Sequence, residues 1–397
     1  MRITILTVLT VTGLMYSCDV YGLEATEGGP AFIMHRVGNY RGEACGVGDF
    51  NNDGKLDIVA LPYVYLAPDF AAMEICKVEG DVDEEGKGYR WDFMNAPVDV
   101  DGDGLLDVVT ASWFGEKAEW LKNPGTAGGL WERFLVEKNG NYECGDLADI
   151  DGDGKLNEVL PAVMSTCWYE PGILPDGKKG IIKHTISDKT MAWGVGYGDL
   201  NGDKRPDVIR PDAWFEAPAD PRSGAWTEHP LNIGGKEEGK ADHTAPILVY
   251  DVNSDGLADI VTSIAHDYGI FWYEQGRKDG EVTWSRHLID DTWSQSHSHG
   301  LADFDGDGDL DLVTGKRFMA HNGGDPGEYE PLGVYWYELE RGPNPVWKKH
   351  ILTYNEGIGS ALNLVVSDLD ADGDPDVVVT GKWGGPVWFE NTLNKNL

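Results

Sequence analysis

Short apolar stretches separated by turn residues run along the whole chain. Each stretch either alternates apolar with polar positions or is rich in β-branched residues, as in the segments that begin at Asp57, Asp107 and Asp311. Both features are typical of short β-strands. No stretch keeps the period of a helix over several turns. The pattern therefore predicts an all-β protein.

An acidic loop of nine residues precedes each apolar strand. In Asp303–Asp311, carboxylates occupy loop positions 1, 3, 5 and 9, and Gly308 occupies position 6, where the backbone turns sharply. Alternating acids let one short loop place several oxygen ligands round a single Ca²⁺ ion. The loop occurs seven times, and the predicted calcium ligands are Asp49, Asn51, Asp53 and Asp57; Asp99, Asp101, Asp103 and Asp107; Asp149, Asp151 and Asp153; Asp199, Asn201, Asp203 and Asp207; Asp251, Asn253, Asp255 and Asp259; Asp303, Asp305, Asp307 and Asp311; and Asp368, Asp370, Asp372 and Asp376.

The seven loops recur at a regular period. Successive copies start 50, 50, 50, 52, 52 and 65 residues apart, so one longer insertion precedes the last copy. Periods of this length are typical of propeller blades, and each unit has room for four short strands. Residues 31–397 are therefore predicted to form one seven-bladed β-propeller. Lys204 replaces the glycine of the fourth loop and Asn157 the last acid of the third, which predicts weak calcium binding at both.

The repeated loop and its flanking strands resemble the FG-GAP or VCBS repeat family over about residues 32–391. The resemblance implies several structural calcium ions, bound in loops that join the innermost strand of a blade to the second. It also implies that Phe32–Val37 pairs with the last blade as its outer strand and closes the ring. Closure would remove the exposed sheet edges that otherwise favour aggregation.

The net charge of −36 limits the partners of this chain. About a third of the 68 acidic residues lie in the loops, where bound cations would offset them. An acidic surface repels phosphates, so nucleic acid is excluded as a partner.

The first residues have the features of an export signal. Arg2 is followed by an apolar run that is too short to span a bilayer, which predicts a signal peptide over residues 1–18. Ser17–Cys18 resembles a lipoprotein cleavage box, which leaves lipid attachment to Cys18 and plain secretion both open. Only such a lipid would tie the chain to a membrane. Residues 19–30 are predicted to be a tether, and the location to be secreted, periplasmic or on the cell surface.

Four cysteines follow Cys18, and an even number in an exported chain permits two disulfides. Proximity in sequence favours Cys45 with Cys76 and Cys144 with Cys167. The spacing alone leaves the pairing open.

The ten histidines fall into two groups. Five occupy the same outer-strand position of the repeat and are predicted to be structural: His35, His184, His229, His287 and His350. The other five lie outside the repeat, in connections that the propeller frame places on the face opposite the calcium loops: His243, His266, His297, His299 and His321.

Further polar and aromatic residues are expected on that opposite face. The insertion Phe318–Leu332 lies there and is predicted to be a lid or binding loop. Cations and imidazoles beside aromatic rings suit an acidic or polyhydroxylated carbohydrate. The residues predicted to bind this substrate are Arg210, Trp214, Asp267, Lys316, Lys382 and Trp383.

Two segments, HDYG at 266–269 and GKRFMAHNGGDPGE at 315–328, resemble propeller-type polysaccharide lyases of the rhamnose-glucuronate kind and the propeller part of aldos-2-ulose dehydratase. The resemblance implies an exported carbon–oxygen lyase that acts by β-elimination on a uronate-containing glycan or a keto sugar. This chemistry needs a base, an acid and a cation that neutralises the substrate carboxylate or ketone. The predicted catalytic residues are His243, His266 or His299 as base, Tyr268 as acid, Arg317 with Lys316 as clamp, and His297 and His321 beside them.

Two alternatives are kept. The propeller could bind a glycan or a protein without catalysis, since a fold does not determine a function. A catalytic metal ion could also occupy the opposite face, because His297 and His299 lie two apart and would bring two imidazoles to one side of a strand.

Overall fold

The computed structural model describes residues 21–22, 30–126, 128–279 and 281–393. Within these residues the chain is a seven-bladed β-propeller, and its only helical element is the short 3₁₀ turn Ala320–Asn322. Every blade is an antiparallel sheet. The all-β prediction and the prediction of seven blades are both confirmed.

We number the blades in chain order and give their strands from the innermost outwards. Blade 1 comprises Gly46–Gly48, Asp57–Ala60, Tyr63–Leu66 and Ala71–Glu74; blade 2 Met94–Val98, Asp107–Ser112, Lys117–Lys122 and Glu132–Lys138; blade 3 Cys144–Ala148, Glu158–Ala162, Thr166–Ile173 and Lys179–Ser187; blade 4 Gly196–Gly198, Asp207–Arg210, Ala213–Glu216 and Thr227–Pro230; blade 5 Leu248–Tyr250, Asp259–Ser263, Tyr268–Lys278 and Glu281–Ser294; blade 6 Ser296–Ala302, Asp311–Lys316, Gly333–Glu340 and Val346–Tyr354; and blade 7 Leu364–Ser367, Asp376–Val379, Gly385–Asn391, Phe32–Tyr40 and Tyr21–Gly22. A separate hairpin, Gly80–Val82 with Gly88–Arg90, lies between blades 1 and 2.

Blade 7 combines the two ends of the chain. Phe32–Tyr40 pairs antiparallel with Gly385–Asn391, so that Phe32 lies opposite Asn391. This is the pairing that the closure hypothesis requires, while its contribution to stability stays a prediction. Tyr21–Gly22, inside the predicted tether, adds a short fifth strand.

Apolar side chains fill the space between neighbouring blades. Between blades 6 and 7, for example, Phe304, Trp336 and Phe389 are buried in one cluster. The last acid of each loop is also buried and binds backbone: Asp311 accepts hydrogen bonds from Phe304 N at 3.2 Å and from Leu339 N at 2.9 Å. The loops therefore fix the strand ends as well as presenting carboxylates.

The third loop follows the same plan with a different residue. Glu158, the neighbour of Asn157, accepts the backbone N–H of Ile150 at 2.9 Å and lies beside Asp149 and Asp151. The acid missing at Asn157 is thus supplied one residue later. The reason for expecting weak calcium binding at this loop no longer applies.

The five outer-strand histidines share one set of contacts. Each ring stacks on the tryptophan opposite it, with centroids between 4.1 and 4.5 Å apart, and its Nε2 atom contacts the glutamate two residues after that tryptophan. These contacts fit the structural role predicted for them. The sets are His35, Trp388 and Glu390; His184, Trp168 and Glu170; His229, Trp214 and Glu216; His287, Trp272 and Glu274; and His350, Trp336 and Glu338.

The expected disulfides are wrong. All four cysteines in the described part of the chain are free and buried: Cys45, Cys76, Cys144 and Cys167. In blade 1, Cys45 precedes the innermost strand, whereas Cys76 follows the outermost strand. The width of the blade separates the two, so proximity in sequence does not bring them together.

The predicted signal peptide, with Cys18, and most of the tether lie outside the described residues. Among the residues that are described, no helix is long and apolar enough to cross a membrane.

Candidate active site

A cluster of imidazoles and carboxylates lies on the face opposite the acidic loops. Blades 3, 5 and 6 supply its members. Glu143 directly precedes the innermost strand of blade 3, His297 lies in the innermost strand of blade 6, and His266 lies in the turn between the second and third strands of blade 5. His321 and Asp325 belong to the insertion of blade 6. We call these five residues the histidine–carboxylate cluster.

His297 is the most deeply buried member. Its Nδ1 atom lies 2.8 Å from the carbonyl oxygen of Ala265, which can only accept a hydrogen bond, so Nδ1 carries the proton. Its Nε2 atom lies 3.2 Å from Glu143 Oε1 and accepts a hydrogen bond from Arg317 Nη1 at 2.9 Å. Burial and the nearby Arg317 charge lower the pKa of His297 to about 3, so this imidazole is neutral.

Arg317 joins the cluster to a further acid. Its Nε atom donates to Glu43 Oε1 at 2.8 Å, and its Nη1 atom donates to Glu143 Oε1 at 3.2 Å. Burial alone would raise the pKa of Glu143, but the Arg317 charge beside it acts in the opposite direction, and this pKa lies well below its usual range. Glu143 therefore stays ionised beside the neutral His297.

His266 and His321 share one carboxylate. His266 Nδ1 lies 3.2 Å from Asp325 Oδ2, and His321 Nδ1 lies 3.0 Å from Asp325 Oδ1. Their rings stack with centroids 4.4 Å apart, and the His266 ring lies 4.7 Å from that of His297. Burial raises the pKa of Asp325, yet the two histidine contacts outweigh it and hold this pKa at about 2.

The insertion holds His321 in a strained backbone conformation. Met319, His321 and Asn322 have φ values of 52°, 46° and 56°, a left-handed region that costs free energy for residues other than glycine. The neighbouring hairpin holds the segment: His321 N donates to Tyr89 Oη at 2.7 Å, and Gly88 N donates to Asn322 Oδ1 at 2.8 Å. Backbone strain that is held in place this way is typical of functional sites.

Two further buried groups titrate near neutral pH beside the cluster. Burial, and then Asp325, raises the pKa of Glu328 to about 7, and neither of its carboxylate oxygens has a hydrogen-bond partner among the described residues. Burial lowers the pKa of Lys382 to about 8, although its Nζ atom donates to Met319 O at 2.6 Å. Perturbed groups of this kind concentrate at functional sites.

The residues of the cluster could hold a metal ion. Two triads, Glu143 with His266 and His297, and His266 with His321 and Asp325, each offer three ligand atoms that lie within 4.8 Å of one another. Oxygen-only triads of the same compactness occur in the acidic loops: Asp99, Asp101 and Asp107; Asp149, Asp151 and Glu158; and Asp303, Asp305 and Asp307.

The acidic loops differ in how well they fit calcium. Asp101 Oδ1 in the second loop is buried without a hydrogen-bond partner, as expected of an atom that awaits a cation. However, Lys122 Nζ contacts Asp101 Oδ2 and lies 3.3 Å from Asp103 Oδ2. A lysine in this position would compete with Ca²⁺. The oxygen donors of the acidic loops fit Ca²⁺, but in the second loop the ion would have to displace the Lys122 ammonium group.

The structure brings four of the predicted catalytic residues together, whereas the side chains of the other three bond to other residues, although His243 still lies near the cluster. His266, His297, His321 and Arg317 meet in or beside the cluster. The other three have different neighbours: His299 contacts Ser296 Oγ at 2.9 Å and Pro246 O at 3.1 Å, His243 Nδ1 accepts from Trp193 N at 3.0 Å, and Tyr268 Oη donates to Glu330 Oε1 at 2.5 Å.

His297 and His299 do not form the paired imidazoles expected from their spacing. The pairing of their strand with the next shifts register between Ser296 and His299. This irregularity gives the two rings different surroundings. His299 instead lines a cavity of about 220 Å³ between innermost strands.

Most residues predicted to bind substrate have other contacts. Arg210 is fully buried and donates to three carbonyl oxygens, those of Val163, Ser165 and Ala192. Lys316 is fully buried and donates to Ser294 Oγ at 2.7 Å. Trp214 stacks on His229, Asp267 pairs with Lys236, and Trp383 lies under Arg36, while Lys382 lies beside the cluster.

Sequence reasoning missed four acids at the site: Glu43, Glu143, Asp325 and Glu328. A signal was available for two of them, because Glu43 and Glu143 each lie within two residues before a Cys-Gly at the start of an innermost strand, outside the acidic loops. The chain has 68 acidic residues, so the positions of these two did not stand out.

A profile of the FG-GAP-like repeat matches residues 99–159 and 251–314. The chain is a β-propeller with FG-GAP-like repeats. This propeller is similar in structure to the V. cholerae biofilm matrix protein Bap1, with 12% identity, 88% of each chain covered and a TM-score of 0.45. It is also similar to XC5397 from Xanthomonas campestris, a gluconolactonase, with 13% identity, 94% of each chain covered and a TM-score of 0.37. These similarities concern the fold alone. No curated protein matches the sequence.

Proposed function

We propose that this propeller is an exported carbohydrate-active lyase or dehydratase that acts by β-elimination at the histidine–carboxylate cluster. Its substrate is a uronate-containing glycan or a keto sugar, and nucleic acid is not a partner. Export rests on the signal-like residues 1–18, which lead to a secreted, periplasmic or surface location.

One observation supports the reaction most directly: His266 and His321 stack on each other and share Asp325. A histidine that is oriented by a carboxylate through Nδ1 has Nε2 available for proton transfer. Two such rings side by side can act as a base and an acid within one site.

In the proposed step His266 Nε2 removes the proton from the carbon next to the substrate carboxylate or ketone. The electrons of that C–H bond form the carbon–carbon double bond as the bond to the β-oxygen breaks. Protonated His321, the more exposed of the two rings, gives its proton to the departing oxygen. The step is balanced: the C–H and C–O bonds break, one carbon–carbon double bond forms, His266 gains a proton and His321 loses one.

Arg317 was expected to bind the substrate carboxylate or ketone, but we assign it a different role. Its guanidinium is 2% exposed and binds Glu43, Glu143 and His297, so it positions the cluster and does not reach the substrate. The anionic intermediate of an elimination still needs positive charge. Lys382, which is equally buried at the edge of the cluster, supplies positive charge from within the protein and does not contact the substrate.

The experiment is an ultraviolet assay for the conjugated product, with calcium-loaded protein and a panel of uronate glycans and keto sugars. His266→Ala should lower the rate by roughly 10²–10⁴-fold, as expected for loss of a general base. The matched control is His287→Gln, which changes an outer-strand histidine. A panel without product formation, but with glycan binding retained, would favour the alternative of a non-catalytic binding propeller.

A further inference from the structure

We propose that a cavity between blades 1 and 2, separate from the histidine–carboxylate cluster, binds one uronate unit of a glycan chain. This inference rests on the proposed function and selects the uronate-containing glycan over the keto sugar as its substrate. The cavity has a volume of about 190 Å³ and is lined by the segment that follows the outer strand of blade 1 and by the strands of blade 2. Pockets for drug-sized ligands span about 300–1,000 Å³, so this one suits a single sugar unit. We call it the blade 1–2 cavity.

The lining of this cavity is basic, although the chain as a whole has a net charge of −36. Two cations, Lys117 and Arg133, share the single carboxylate of Glu119, at 3.1 Å and 2.8 Å. Glu119 holds both cations at the wall but offsets only one of their charges. Lys77 and Glu79 add one charge of each sign to the lining. The remaining positive charge favours an anionic ligand and disfavours a cation.

Asp92 is a buried acid in the same lining. Asn95 and Thr110 donate hydrogen bonds to its Oδ1 atom at 2.6 Å and 3.0 Å, whereas its Oδ2 atom has no hydrogen-bond partner among the described residues. Burial raises the pKa of Asp92 to about 8, so the carboxyl group is protonated at neutral pH. Because Oδ1 already accepts two hydrogen bonds, the proton is on Oδ2. Asp92 therefore adds an unused donor to the cavity and does not repel an anion.

Trp91 gives the cavity an aromatic wall next to this acid. Its side chain is 38% exposed, and no other tryptophan among the described residues is as exposed. An exposed indole has flat apolar faces on which a sugar ring can stack, while its ring nitrogen can donate a hydrogen bond. An aromatic wall beside cations and a hydroxyl donor therefore matches both parts of a uronate, the ring and the carboxylate.

A row of aromatic rings connects the blade 1–2 cavity with the histidine–carboxylate cluster. The centroid of Trp91 lies 6.5 Å from that of Phe114, and the centroid of Phe114 lies 4.9 Å from that of Tyr89. Phe114 is itself exposed, and Tyr89 Oη accepts a hydrogen bond from His321 N at 2.7 Å. A glycan chain can follow this row from the cavity to His321, whereas a single keto sugar would occupy only one end. The cavity is thus a distal part of the substrate site.

The test measures the binding of a single uronate. Methyl glycosides of glucuronate and galacturonate are titrated into the calcium-saturated full chain, and ligand-observed NMR gives the dissociation constant. Lys117→Ala should weaken binding by roughly 10- to 100-fold, as expected for the loss of a hydrogen bond to a charged group. Trp91→Ala should weaken it by about 10-fold, and Trp91→Phe, which keeps an aromatic ring, should retain most of the affinity. Lys178→Ala, at an exposed cation on blade 3, is the control.

Kinetics with a uronate hexasaccharide add a readout of position. Trp91→Ala should raise KM by about 10-fold and leave kcat unchanged, because Trp91 lies away from the reacting bond. Circular dichroism verifies that each variant is folded. If wild type binds neither uronate, or if folded Lys117→Ala and Trp91→Ala bind as tightly as wild type, the cavity proposal is overturned, while elimination at the cluster is unaffected. Weaker binding in both variants without product from any glycan would support the cavity and reject the elimination.

Discussion

Arg317 and Glu43 form a buried ion pair between residues that are 274 positions apart in sequence, with Nε and Oε1 2.8 Å from each other. Arg317 follows the second strand of blade 6, and Glu43 precedes the first strand of blade 1. The same guanidinium reaches Glu143 before blade 3. One side chain thus connects three blades on the face that carries the histidine–carboxylate cluster.

Removal of this charge should destabilise the whole ring. Arg317→Gln leaves Glu43 and Glu143 buried without their cation, and loss of one partner of a buried pair costs about 3–5 kcal/mol. Urea unfolding measures the change. The double variant Arg317→Gln with Glu43→Gln should recover part of the loss, because it removes one of the uncompensated charges. Equal stability of Arg317→Gln and wild type would contradict the assignment.

The N-terminal strand should be essential for the stability of blade 7. Phe32 is buried against Phe304 at a centroid distance of 5.8 Å, and its strand pairs with Gly385–Asn391. Phe32→Ala should cost about 3–5 kcal/mol in the free energy of unfolding. Deletion of residues 31–38 should lower the melting temperature further. Leu135→Ala, at an exposed position, is the control. An unchanged melting temperature after the deletion would contradict the closure hypothesis.

Stability should fall with rising pH because of Asp92. Burial raises its pKa to about 8, although Asn95 and Thr110 donate hydrogen bonds to its Oδ1 atom. The folded state therefore holds a proton that the unfolded chain releases near pH 4. This stabilisation is complete below that value and is lost as the pH rises to about 8.

Asp92→Asn should remove this pH dependence. Relative to wild type, the variant should gain on the order of 1–3 kcal/mol between pH 5 and pH 9. Denaturant unfolding across that range measures the difference. Asp69→Asn, at an exposed carboxylate, serves as control. Parallel stability curves for wild type and Asp92→Asn would refute the buried proton.

Calcium should stabilise the propeller through the sixth loop, where Asp303, Asp305 and Asp307 converge. At a hundredfold excess over the dissociation constant, one occupied site adds about 2.7 kcal/mol. Asp305→Asn should reduce the rise in melting temperature that Ca²⁺ produces, whereas the exposed Asp291→Asn should not. An identical calcium response in both variants would exclude this loop as a site.

The sequence was sufficient for the fold because the fold repeats. Seven loops at a near-constant spacing specify the number of blades, and in six of them the buried last acid, as in Asp311, accepts the same two backbone hydrogen bonds. The outer-strand histidines were recognisable for the same reason. Local patterns that recur can be read without knowledge of distant contacts.

The site was only partly predictable because it does not repeat. Glu143 meets Arg317 over 174 residues and His297 over 154, and such contacts exist only when distant blades have come together. Side chains two residues apart normally lie on the same side of a strand, but the register shift between Ser296 and His299 gives His297 and His299 different surroundings. A resemblance pointed to the HDYG segment and to the blade 6 insertion. That insertion contains Asp325, but nothing in the sequence indicated that Asp325 contacts both His266 and His321.

The residues that surround the histidine–carboxylate cluster are spread over the whole chain, which has a consequence for the maturation of this protein. Glu43 is synthesised before any complete blade, while Arg317 and Lys382 follow only near the end of translation. The proposed activity is therefore acquired in a single late event, when the final blade docks. A proteolytic nick that releases the N-terminal strand or the last blade would therefore remove the proposed activity as a whole, and partially digested molecules would keep no residual, less specific activity.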